Sequence, residues 1–182
     1  MRADAQRNRD RLLTVAVEAF TGPDGNDVTL DSIAKQAGVG IGTLYRHFPT
    51  REALVEAAYR NEVDKLGAAA LDLLDTLPPA EALREWMNHF VDYIATKRGM
   101  ADALKIVVAS GVNPYEHSRA KLLAALSSLL AAGAAEGSLR ADVAAEDVLA
   151  ALLGVTMSAG EPAQRDQAGR LLDLLSDGLR AR

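Results

Sequence analysis

Residues 38–54 read GVGIGTLYRHFPTREAL. Gly38, Gly40 and Gly42 alternate, and Thr43, Tyr45, Arg46, His47 and Arg51 follow at once. Each of these five side chains donates hydrogen bonds, and the two arginines are permanently cationic. Such a set recognises phosphate oxygens well. It lacks the paired groups that bond-making needs, and no second histidine or acid stands at metal-ligand spacing from His47.

The rest of the chain agrees with binding over catalysis. No GxxxxGK[ST] loop, GxSxG elbow or HExxH helix occurs. The chain has no cysteine, which removes disulfides, thiolate zinc sites and a thiol nucleophile. His89 and His117 are isolated and form no HxxxH pair. The expectation is therefore no enzyme, no metal and no cofactor. A carboxylate pair assembled only in three dimensions stays open.

Charge is distributed unevenly. Residues 1–51 hold seven Lys/Arg against six Asp/Glu, while the whole chain of 182 residues carries −5. A slightly basic head on an acidic body suits a DNA-binding end joined to a body with another task. The N-terminal residues MRADAQRNRDRLL are charged, and no uncharged apolar run reaches 18 residues. No signal peptide and no membrane partner are expected, and the absence of cysteine fits a cytoplasmic location.

Alanine and leucine dominate and aromatics are scarce, which predicts an all-α fold of about nine helices. The first is expected over about Ala3–Phe20, with Leu13, Ala16, Val17 and Phe20 on one stripe. TGPDGND breaks it. Thr29 then caps a second helix, with Leu30, Ile33, Ala34 and Ala37 inward, and Gly38 stops it in the left-handed region. A third short helix runs from near Gly40–Gly42 to His47, with Leu44 and Phe48 as core. Pro49 ends it, and Thr50 caps a fourth helix over about Arg51–Leu74. Further helices are expected at about 80–98, 100–110, 114–135, 145–159 and 163–180. Asn113 is placed as the N-cap of the helix beginning at Pro114.

Two short helices joined by a tight glycine turn form a helix-turn-helix, whose second helix enters the major groove. That gives the glycines a use. Gly38 makes the turn, and Gly40 and Gly42 leave backbone bare where DNA approaches. Thr43 suits a base edge, a thymine methyl or a phosphate, while Tyr45, Arg46, His47 and Arg51 suit phosphates. The expected DNA-binding set is Thr29, Gly40, Ile41, Gly42, Thr43, Leu44, Tyr45, Arg46, His47 and Arg51. Arg7 and Arg11 rank lower because Asp4 and Asp10 stand beside them.

The segment TLDSIAKQAGVGIGTLYRHFPTREAL (residues 29–54) resembles the helix-turn-helix signature of the TetR family of transcriptional regulators. YIATKRGMADAL and RLLDLLSDGLR resemble a subgroup common in actinobacteria. The resemblance implies a homodimeric repressor that leaves a double-stranded DNA operator when a small-molecule effector enters its body. Gly40 departs from the pattern, since many members carry serine there and contact phosphate through it.

The expected division is a DNA-binding domain at 1–50 and a ligand-binding and dimerisation domain at 51–182, linked by the helix at 51–74. Aromatics concentrate in the body, so Trp86, Met87, Phe90, Tyr93, Leu104, Val108 and Tyr115 are the expected ligand pocket. The last two helices are apolar over arcs too wide for one contact. Leu149, Leu152, Leu153, Thr156, Leu171, Leu172, Leu175 and Leu179 are therefore the expected dimer interface. The alternative is a small-molecule-binding protein or enzyme with a helix-turn-helix-like head and no operator.

Overall fold

The computed structural model describes residues 2–25, 27–159 and 162–181. Among these the chain forms nine α-helices and no strand. They are α1 (Arg2–Thr21), α2 (Leu30–Gln36), α3 (Ile41–His47), α4 (Arg51–Leu74), α5 (Pro79–Gly99), α6 (Ala101–Ala109), α7 (Ser118–Glu136), α8 (Ala145–Ser158) and α9 (Arg165–Leu179). A single 3₁₀ turn, Pro162–Gln164, precedes α9.

Local chemistry sets most of the boundaries. Thr29 Oγ1 accepts from the Ser32 N–H at 3.1 Å and caps α2. Thr50 does the same for α4 through the Ala53 N–H at 3.1 Å. Gly38 takes φ +64 and Gly137 takes φ +84, so α2 and α7 both end on a left-handed glycine.

One boundary differs from the sequence expectation. α7 begins at Ser118, not Pro114. The Asn113 side chain does accept from the Tyr115 N–H at 3.0 Å, as a cap would, but residues 114–117 form turns, and the His117 carbonyl accepts from the Lys121 N–H at 3.1 Å where α7 opens.

The chain forms two compact units. The first holds the residues up to Glu62 together with Thr96–Glu116; the second holds Val63–Ala95 and His117 onward. The division therefore falls inside α4 and α5, and α6 belongs with the head. This departs from the expected boundary at residue 50. Gly99 explains part of it: a Cβ there would press on Thr21 at 3.0 Å, so bare backbone meets the end of α1.

The core of the first unit includes Leu12, Leu13, Ala16, Phe20, Ile33, Ala34, Leu44, Phe48 and Leu54. Leu30 and Val17 are only half-buried. In the second unit, α8 packs against both α7 and α9. Gly133 on α7 leaves room for Leu139, whose side chain fills the space a Cβ would need. Arg140 N–H donates to the Leu179 carbonyl at 2.9 Å, tying the α7–α8 connection to the end of α9.

Candidate nucleic-acid interface

α2 and α3 are joined by Ala37–Gly40, and the Val39 N–H donates back to the Ala34 carbonyl at 2.9 Å. Val39 is buried, so the turn is pinned from within. Ile33, Ala34, Leu44 and Phe48 face the interior of the three-helix head. Those contacts fix which face of α3 remains outside.

That outer face carries Ile41 at 37% exposure and Tyr45 at 50% exposure. Gly40, Gly42 and Arg46 are also exposed, and Thr43 and His47 are half-buried. A Cβ at Gly40 or Gly42 would meet nothing within 4 Å. The protein itself does not require glycine at either position. Arg46 folds back along the helix, with Nε donating to the Gly42 carbonyl at 3.1 Å and Nη2 to Thr43 Oγ1 at 3.2 Å. α3 contains no acid, so its surface carries no anion.

Two residues of the expected set, Leu44 and Arg51, face inward. Leu44 is fully buried and serves the head's core. The Arg51 guanidinium turns inward: it donates to the carbonyls of Val28 and Gly25, the latter at 2.8 Å, and lies 4.7 Å over the Phe20 ring. It secures the α1–α2 connection. Thr29 is exposed, but its hydroxyl is already engaged as the α2 cap. On α1, Arg7 pairs with Asp4, and Arg11 donates to Asn8 at 2.6 Å.

Two family models match this chain. Residues 12–58 match the model of bacterial regulatory proteins of the tetR family, and residues 78–181 match that of the SbtR-like transcriptional regulator C-terminal domain. The protein belongs to the TetR family of transcriptional regulators. Its N-terminal domain is a DNA-binding helix-turn-helix.

Solved structures of this TetR family are similar over at least 95% of the chain. A TetR transcriptional regulator from Streptomyces coelicolor is 54% identical, with TM-score 0.89, over 95% of this chain and 98% of that one. A TetR regulatory protein from Mycobacterium vanbaalenii is 38% identical, with TM-score 0.79, over 99% of each. A helix-turn-helix regulator from Staphylococcus aureus is 36% identical over 64 residues, 35% of each chain. Against such curated relatives the chain thus spans about a third of their length.

The TetR-type body distributes the expected pocket residues over both units. Trp86, Met87, Phe90 and Tyr93 lie in the second unit and are buried. The Trp86 and Phe90 rings stand 5.9 Å apart, and Phe90 and Tyr93 6.1 Å apart. The Trp86 indole N–H donates to the Leu66 carbonyl at 2.8 Å, which satisfies its one polar atom. Leu104, Val108 and Tyr115 lie in the first unit. There Leu104 is buried, Val108 is 48% exposed and Tyr115 is 36% exposed. The structure thus brings only the first four together within one unit.

The expected dimer seam needs a larger correction. Leu149, Leu152, Thr156, Leu172 and Leu179 are buried within the protomer. They cannot also meet a partner. Leu153 is 40%, Leu174 70% and Met157 82% exposed. Leu171 and Leu175 are half-buried beside them. The two arcs seen in the sequence are real, but the outward one consists of Leu153, Met157, Leu171, Leu174 and Leu175.

Proposed function

We propose that this regulator is a homodimeric repressor that a small molecule releases from a palindromic operator. The outward face of α3 carries the DNA half of the reading. Its exposed glycine backbone and its Thr43, Tyr45, Arg46 and His47 donors suit phosphates and base edges, with no acid to repel them. Thr29, Gly40, Ile41 and Gly42 complete the proposed contact surface, Thr29 through its backbone.

Exposed Leu153, Met157 and Leu174 supply an apolar seam for a second copy. Two heads in a dimer read half-sites about 34–36 Å apart or a multiple of it. Footprinting on DNA upstream of the protein's own coding sequence should show a near-palindrome with that spacing. A single unpaired half-site would reject the dimeric reading.

The effector half of the reading is supported by the aromatic cluster of Trp86, Phe90 and Tyr93, with Met87 beside it. Ligand sites are mostly apolar and lined by such residues. α4 runs unbroken from Arg51 to Leu74 and supplies residues to both units, so it is the element that would carry the signal. A ligand shifts operator affinity only by its differential binding to two states, and a coupling of about 1–3 kcal/mol gives roughly 5–150-fold release. Trp86 is the only tryptophan, so its emission reports on the cluster directly. A compound that releases DNA should change that emission; release with unchanged emission moves the site elsewhere.

A further inference from the structure

Lys97 stands in the last turn of α5, one helical turn beyond Tyr93 on the same face. Its Nζ lies 4.6 Å from the centre of the Tyr115 ring and 6.0 Å from that of Tyr59. The two rings meet edge to face, 5.3 Å apart at 83°. Tyr59 comes from α4 and is buried, while Tyr115 comes from the α6–α7 connection and is partly open to water. Three separate segments of the first unit therefore converge on one ammonium.

The connection is shaped to deliver Tyr115. Gly111 turns the chain at φ +89, a conformation other residues resist. Asn113 then fixes the Tyr115 backbone N–H.

An ammonium drawn half out of water loses hydration, and proteins usually compensate with a carboxylate. Among the described residues no acid pairs with Lys97; its contacts are the two ring faces. Burial pushes its pKa below the ordinary lysine value, with no opposing charge to restore it. The ring faces offset only part of the lost hydration. Burial also raises the Tyr115 pKa, so the phenol stays a neutral O–H donor. The site thus offers ammonium and phenol donors beside aromatic surface, and lacks an anion.

We propose that Lys97 and Tyr115 hold the carboxylate of a small organic acid, and that this acid is the effector class of the regulator. The proposal rests on the effector-released reading above. An anion at this place pairs with a charge that is already partly desolvated, so little further hydration is lost on binding. The aromatic rings then favour an apolar body on that acid. A cationic ligand meets repulsion from the same ammonium.

The test uses the full chain and three probes with one alkyl body: octanoate, octan-1-ol and octyltrimethylammonium. Calorimetry should show octanoate binding at least about tenfold tighter than the alcohol, the worth of one good ionic contact. Lys97→Met should erase that advantage and leave the alcohol unchanged, and thermal melting checks that the variant is folded. Lys97→Arg should keep octanoate within about threefold, because it retains the charge. Octanoate that fails to bind wild type, or binds no tighter than the alcohol or the cation, overturns the proposal, as does full octanoate affinity in Lys97→Met. A lowered salt slope for operator binding in Lys97→Met, with octanoate unaffected, would make Lys97 a DNA phosphate contact and also overturn it. The two readings separate cleanly. Release of DNA by the alcohol or the cation keeps the effector reading and rejects the acid class. Octanoate held through Lys97 without any change in operator affinity rejects the effector role and leaves only an anion site.

Discussion

The Arg51 guanidinium, at the first residue of α4, donates through Nη2 to the Gly25 carbonyl at 2.8 Å. A second bond reaches the Val28 carbonyl, and the cation lies over Phe20 at 4.7 Å. One side chain thus closes the loop that leads into α2. Gly25 must be bare for this, since a Cβ there would collide with the Phe20 carbonyl. The helix-turn-helix is positioned from behind by a residue whose charge suggested the opposite face.

Arg51→Ala should therefore act as a stability variant of the head. Two bonds from a cation to backbone carbonyls are worth about 3 kcal/mol together, at about 1.5 kcal/mol each. Denaturant unfolding should show that loss. Arg51→Lys should recover little of it, because an ammonium cannot span both carbonyls as a planar fork does. Unchanged stability with weakened operator binding would return Arg51 to the DNA surface.

On α3 the two hydroxyl residues should behave differently. Tyr45→Phe should weaken binding to all operator variants alike, since a phosphate carries no base identity. Thr43→Ala should change the ranking among variants, by roughly 1–3 kcal/mol at one position for a base contact. Binding assays across a set of single-base operator substitutions separate the two. A uniform loss for Thr43→Ala would make it another phosphate contact.

Neighbouring leucine and methionine positions in α8 should also part company. Met157→Glu leaves the protomer folded and weakens the dimer, because its side chain is 82% exposed. Leu152→Glu buries a charge in the protomer core, and the fold itself should fail. Circular dichroism with sedimentation distinguishes these outcomes. A Met157→Glu protein that stays fully dimeric would remove α8 from the seam.

The contrast shows how far sequence reading reaches. Caps and stops were legible because their causes are local: Thr29, Gly38 and Thr50 act within four residues of themselves. The buried face of α3 was legible from Leu44 and Phe48. The 113–117 segment differs from the expectation although Asn113 makes a cap's bond to the Tyr115 N–H: the turns run on to His117, whose carbonyl accepts from the Lys121 N–H as α7 opens. Periodicity showed that α8 and α9 are apolar on two arcs. It could not say which arc the protomer keeps, since Leu152 and Leu153 are chemically the same residue. Arg51 and Lys97 gave no local signal at all: their partners lie on segments remote in sequence.

The salt dependence of operator binding tests the central claim most directly. If the dimer neutralises about six phosphates with the cations of its two heads, Arg46 of α3 among them, log K should fall against log salt with a slope near −5. The measurement needs only the intact protein and its operator at several salt concentrations. A slope close to that value, reduced by about one for each cationic phosphate contact removed per dimer, is the expected result. A flat response would contradict the account.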